Sequence, residues 1–261
     1  MLLLASLRGP CRRPRVLKTL LSLKVRHFST MDRDYVIETV NFTSERDSVF
    51  KFLQEVFLVN EPITRVIGCT PSDTSPIFDD ICEKCSKFDL SFAAKNNDGK
   101  ILGVLLNAPF KLENIHESYR DIGRMPNKKE FGEEIRNGPF PSQNANRIHA
   151  ILTFVNSHIA LLPPEEDIKL VELQAMAVGP GDARTGLGSG MLRALIQTAS
   201  AKGYSHLFTC ATAIASQTGL KKFGFDEIKT VPFNSFLEDG VPIFSGVHDN
   251  GVGAKLVALH I

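Results

Sequence analysis

The stretch "GDARTGLGSG", residues 181–190, sets Gly181, Gly186, Gly188 and Gly190 around Arg184. It follows an alternating apolar run, "KLVELQAMAV", and precedes "SGMLRALIQTASAKG", whose Met191, Leu192, Leu195 and Ile196 keep the helical period. A glycine loop between a strand and a helix start offers unpaired backbone N–H groups and the positive end of a helix dipole. The chemistry it suits is the binding of a phosphate or pyrophosphate. A dinucleotide fingerprint is absent, because Met191 stands where the third glycine belongs and no acidic residue follows at the required distance. A nucleotide P-loop is absent too, since no Gly-Lys-Ser/Thr is present there.

Other reactive residue types carry less. Cys82 and Cys85 form a C-x-x-C with no second pair or nearby histidine, and "FDDICEKCSKF" reads as an amphipathic helix carrying ordinary thiols. The seven histidines do not cluster at ligand spacing, so no metal is expected. Five cysteines, an odd number scattered through the chain, argue against a disulfide framework.

The chain of 261 residues, 43% hydrophobic and 23% charged, is globular in composition, and one domain is the default expectation. Its formal charge of +1 conceals an asymmetry, because residues 1–30 hold seven Lys/Arg and no acid, leaving 23 basic against 29 acidic residues beyond them. A mildly acidic body argues against nucleic-acid binding. No run reaches 18 uncharged apolar residues, so no membrane span is expected. The opening 30 residues, rich in Arg, Leu and Ser, have the composition of a mitochondrial presequence, and Arg26, Phe28 and Ser29 match a matrix cleavage pattern. Initiation at Met31 would instead give a shorter cytosolic form.

Elements that must position the loop alternate along the chain. "DYVIETVNF" reads as a strand, and Thr43 or Ser44 is expected to cap a helix through Val49, Phe50, Leu53, Val56 and Phe57 that stops at Pro62. A second helix is expected near 76–88, then a hairpin turning at Asn97, Asp98 and Gly99. Residues 111–145 read as a long insertion over a surface, and "NRIHAILTFVNSHIALL" as a helix. In the strand before the loop, Val171, Leu173, Ala175 and Ala177 alternate, with Met176 and Val178 buried as well. "YSHLFTCAT" reads as a strand and "AIASQTGLKKFGF" as a helix ending at Gly224 and Phe225.

"VELQAMAVGPGDARTGLGSGMLRAL" resembles the acetyl-CoA motif of the GNAT acetyltransferase superfamily, a strand, an Arg/Gln-x-x-Gly-x-Gly/Ala loop and a helix. That resemblance implies an α/β (α+β) fold over 34–261, a central mixed twisted sheet of about seven strands flanked by helices and splayed at the acetyl-CoA site. It places the co-substrate against Met176, Ala177 and Val178, and against Ala183, Arg184, Thr185, Gly186, Leu187, Gly188 and Ser189. Ala183 occupies the motif's Arg/Gln slot, so the cationic contact weakens or shifts to Arg184, while backbone amides keep the diphosphate. Leu220 stands where many relatives carry a catalytic tyrosine.

"FLVNEPIT", with a Thr/Ser pair near the last helix, is similar to the insect-type arylalkylamine N-acetyltransferases. That similarity puts the family's catalytic glutamate on Glu61 and its two catalytic serines on Thr212 and Ser216. It implies acetylation of dopamine, serotonin, tyramine or octopamine, and the chain is expected to act as a monomer. An alkyl amine has a pKa of about 10.4, so only about one molecule in two thousand is nucleophilic at pH 7 and a base is needed. Glu61, held extended before Pro62, is the candidate base. Thr212 and Ser216, four residues apart on one side of a helix, are candidates to reprotonate the CoA thiolate. The bland alternatives are a surface glutamate at a helix end, a helix cap and a solvated serine. Another small amine, a protein lysine and a non-catalytic acyl-CoA-binding module stay open as rival functions.

Overall fold

The computed structural model describes residues 26–30, 33–115, 119, 128–162 and 168–261. In chain order these form β1 (Arg26–Thr30), β2 (Arg33–Thr39), α1 (Phe42–Asn60), α2 (Pro62–Val66), α3 (Pro71–Ser86), β3 (Phe92–Asn96) and β4 (Ile101–Phe110). Then come α4 (Gly132–Arg136), α5 (Gln143–Ser157), β5 (Leu170–Val178), α6 (Leu187–Ala201), β6 (His206–Ala211) and α7 (Ile214–Lys222). The chain closes with β7 (Asp226–Pro232), the short pair β8 (Leu237–Glu238) and β9 (Val241–Pro242), and β10 (Gly253–His260). Among the described residues no helix is long and apolar enough to cross a membrane.

One mixed sheet runs β1-β2-β3-β4-β5-β6-β10-β7. Seven of its strands, β2 onward, are the expected set, and β1 adds an antiparallel edge to β2. β1 comes from the last five residues of the expected presequence, and residues 1–25 lie outside the described residues. β5 and β6 are parallel, joined through α6 as a crossover requires. Cores form on both faces. Leu187, Met191, Leu192 and Leu195 of α6 pack with Ile37 and Leu105 on one side, while α1 and α3 pack Val49, Leu53, Phe78 and Ile81 against Val104 and Leu106 on the other. Gly190 lets α6 approach β2, since a Cβ there would stand 2.6 Å from Ile37 Cδ1.

Several expected boundaries move, each for a local reason. Asn41 caps α1, its side chain accepting from Thr43 N while Glu45 takes Asn41 N, so neither Thr43 nor Ser44 is the cap. α1 does stop just before Pro62, which then starts α2 as its first residue, where a missing N–H costs nothing. α3 begins at Pro71, five residues earlier than expected, because Thr70 and Asp73 form a reciprocal capping box and Pro76 is tolerated within it. The hairpin turns where expected, with Gly99 at φ +78°. The 111–145 segment is not merely a surface insertion. Phe131 and Ile135 are fully buried in the core beside α5, and Phe131 stacks on Phe236 at 3.8 Å.

Candidate active site

β5 and β6 pair only at Leu170/His206, Val171/Leu207 and Glu172/Phe208. Beyond that β5 runs six residues further and β6 three, so the strands part. At the same level β5 bulges. Leu106 faces Ala175 but Asn107 faces Leu173, leaving Gln174 as the extra residue. The bulge flips the strand's phase. Val171 and Leu173 face α6, whereas Ala175 and Ala177 turn to α1 and α3, and Met176 and Val178 pack partly against the α6 side. The simple alternation expected across Val171 to Ala177 is corrected by this extra residue.

The gap holds a cavity of about 360 Å³, closed by α1, α2, α3, α5 and α7. Glu61, Thr212 and Ser216 all line it, so three residues distant in sequence converge there. Glu61 joins α1 to α2 in extended geometry, φ −81°, ψ 123°. Its carboxylate caps α2, accepting Ile63 N at 3.3 Å and Thr64 N at 2.6 Å, and it also accepts the Thr212 hydroxyl at 2.7 Å. Among the cavity's lining residues Glu61 carries the only carboxylate and none carries a basic group; burial, then Glu61 and Glu172, push the Cys210 thiol well above the usual range.

Thr212 is not on a helix, contrary to expectation. It lies between β6 and α7, two residues before the helix, and Ala213 is the helix's N-cap with no side-chain bond of its own. Asp249 supplies the missing acceptor, taking Ile214 N at 2.8 Å from the β9–β10 loop. Ser216 and Leu220 lie one turn apart on α7 and both line the cavity, so a leucine occupies the family's tyrosine slot. Much of the remaining wall is apolar, with Phe57, Phe78, Ile77, Ile81, Ile148 and Leu152, while Asn60, Thr64, Gln174 and Thr209 add polar groups.

Met176, Ala177 and Val178 line the cavity's open end, and the glycine loop leaves from there. A single helical turn, Pro180–Asp182, is followed by Ala183 and Arg184, both exposed, with Arg184 at φ +67°. Thr185 Oγ1 donates to the Asp182 carbonyl at 2.6 Å and closes the turn. Gly186, at φ +89°, caps α6 without any side-chain bond, so the first N–H groups of α6, at Leu187, Gly188 and Ser189, meet no capping side chain. Gly188 faces back onto the strand, where a Cβ would lie 3.8 Å from Val178 and 3.9 Å from Met176. This is a polar, anion-suited rim beside the cavity mouth.

Sequence reasoning missed the residues behind the bulge. Glu172, half-buried on β5, accepts Asn156 Nδ2 at 2.6 Å and Gln174 Nε2 at 2.5 Å, and Gln174 lines the cavity. Burial pushes the Glu172 carboxyl up to about 7, against smaller lowering effects from Lys84 and the Gln174 amide. No periodic signal announces a bulge, so neither residue stood out. Among the described residues no group of His, Cys, Asp or Glu is placed to hold a metal ion, and Cys82 and Cys85 are core thiols of α3.

No family model matches the chain. Solved structures do. Arylalkylamine N-acetyltransferase 2 from Aedes aegypti superposes with a TM-score of 0.72 at 21% identity, over 87% of this chain and 99% of its own. This is the GNAT fold. The polyamine N-acetyltransferase of Drosophila melanogaster, an enzyme that forms N-acetylagmatine, matches at 0.66 and 16% identity, over 87% of this chain and 100% of its own. The C-terminal condensation domain of Ebony, solved with β-alanyl-dopamine, matches at 0.60 and 16% identity, over 88% and 100%.

Proposed function

We propose that this protein is an acetyl-CoA-dependent N-acetyltransferase acting on the primary amine of a small arylalkylamine. The observation that carries this is the Glu61–Thr212 pair at the head of a cavity that opens between β5 and β6, beside an uncapped helix. The N–H groups at the start of α6 bind the diphosphate of CoA, and the free edge of β5 at Met176 to Val178 holds its thioester arm. Glu61 attracts the acceptor's ammonium and takes its proton, which frees the lone pair for attack on the thioester carbonyl. A backbone N–H of the same β5 edge stabilises the oxygen that gains charge. Thr212 or Ser216 relays to the departing thiolate the second proton, which the nitrogen loses as the amide forms, and Glu61 gives the first to solvent. No covalent intermediate with the protein is required.

The wall supports an aryl or alkyl monoamine over a polyamine. Phe57, Phe78 and four aliphatic side chains suit an apolar tail, and Glu61 alone offers a carboxylate, whereas a diamine needs a second anionic partner. Composition of residues 1–30 supports delivery to the mitochondrial matrix, checked by N-terminal sequencing of protein isolated from that organelle. The test of function is an amine panel on the full chain, reading CoA thiol release from acetyl-CoA. Release that depends on an arylalkylamine supports the proposal. Binding of CoA with no amine-dependent release would favour the rival reading of a non-catalytic acyl-CoA module, which Leu220 and Ala183 support.

A further inference from the structure

The Glu172–Gln174–Asn156 cluster has no part in the reaction above, yet one of its members faces the cavity. Gln174 is the bulged residue of β5, half-buried, and its Nε2 is committed to Glu172 Oε2 at 2.5 Å. The carboxylate's other oxygen is held by Asn156 Nδ2 at 2.6 Å from α5, so Glu172 cannot swing away without breaking both bonds. With its nitrogen tethered to Glu172, Gln174 lines the cavity with only its side-chain carbonyl oxygen uncommitted. That oxygen has no hydrogen-bond partner among the described residues. An unpaired polar acceptor in a largely apolar wall costs free energy unless a ligand satisfies it.

Its position along the cavity is fixed by register. Thr209 Oγ1 donates to the Leu173 carbonyl at 2.9 Å, so Gln174 sits at the closed end of the parting strands. Thr212 stands three residues further along the chain from Thr209, roughly 10 Å at 3.3 Å per residue. Glu61 is at that far end, hydrogen-bonded to Thr212. An acceptor whose amine meets Glu61 and whose ring points down the cavity brings the distal edge of its ring to Gln174.

We propose that Gln174 is a specificity-determining residue, oriented by Glu172, whose side-chain carbonyl accepts a hydrogen bond from a hydroxyl on the distal end of the acceptor amine. This rests on the functional reading above. A hydroxyl fits the site better than a second ammonium, because the Glu172 carboxylate lies behind the wall and the lining offers no other anion besides Glu61. Glu172 is a positioning residue in this scheme, since it acts only through Gln174.

The experiment compares 4-hydroxyphenethylamine with phenethylamine on the full chain, by calorimetry in the presence of CoA and by acetyl-CoA turnover. The wild type is expected to favour the hydroxylated amine about tenfold, the value of one hydrogen bond. Gln174→Leu should erase that preference, raising KM for the hydroxylated amine about tenfold more than KM for phenethylamine. Glu172→Gln should weaken the preference less, and only for the hydroxylated amine. A structural role alone would lower both amines equally, and that result overturns the proposal, as does an undiminished preference in Gln174→Leu. A tighter response to 1,5-diaminopentane than to either ring amine also overturns it. If the wild type turns over both ring amines without discriminating, the specificity proposal falls and the function stands; if it neither binds nor acetylates any of them, both fall.

Discussion

The Thr212 hydroxyl donates to Glu61 Oε1 at 2.7 Å, joining two residues 151 positions apart in the chain. Both oxygens of Glu61 also accept backbone N–H groups of α2, so the carboxylate is held in place by three donors while still lining the cavity. A base held this way needs little reorganisation when the acceptor arrives. The same bonds make Glu61 a helix cap, so its structural and chemical roles can be separated by substitution.

Glu61→Gln keeps an oxygen able to cap α2 but cannot take a proton. Turnover of a good arylalkylamine should fall about a hundredfold or more, while the lost capping acceptor costs only on the order of 1 kcal/mol of stability. Initial rates across pH check this, and wild-type rates in the variant would remove Glu61 from the mechanism.

Thr212→Val removes the donor while preserving shape. Loss of a hydrogen bond to a charged group should cost on the order of 1–3 kcal/mol in urea unfolding, and turnover should fall with it. Thr212→Ser should restore both, since the hydroxyl alone makes the 2.7 Å bond. Failure of serine to rescue would assign the effect to packing.

Gly186→Ala tests the loop. No atom lies within 4 Å of an added Cβ, so the whole penalty is the left-handed backbone at φ +89°. That costs on the order of 1 kcal/mol, a fall of about 2–4 °C in Tm, and should weaken CoA binding measured by calorimetry. An unchanged CoA affinity at reduced Tm would show that the α6 start does not hold the diphosphate.

Glu172 links stability to pH. Its folded carboxyl titrates at about 7, above the ordinary 4.5, because burial disfavours the anion despite Lys84 and the Gln174 amide, while Asp80 adds repulsion. A raised pKa means the group's contribution is full below about 4.5 and is lost as pH rises through 7. Glu172→Gln should therefore unfold at higher urea than wild type at pH 8, by on the order of 1–3 kcal/mol, and converge with it near pH 4.5. Parallel stability curves across that range would place Glu172 in solvent.

Much of this protein was legible from local pattern. The β3–β4 hairpin, the helical period of α1 and α6, and the strand, glycine loop and helix around Gly186 are all encoded within about ten residues, where periodicity and turn chemistry act. Helix starts were less legible at Asn41 and Thr70, because several neighbouring residues can cap and only the fold selects one. Phe131 and Ile135 looked like surface insertion because isolated apolar residues in a polar stretch carry no period, yet contact with α5 and Phe236 buries them.

By itself, the sequence determined most of the long strands and helices, though not β1, α2 or α4, and that an anion-suited glycine loop stands before α6. Only the tertiary structure decided that β5 bulges at Gln174, that β5 and β6 part after Glu172, and that Glu61 meets Thr212. The physical reason is range. Backbone period and capping are properties of neighbours along the chain, whereas register, splay and the pairing of buried polar groups are settled by long-range contacts that no local window contains.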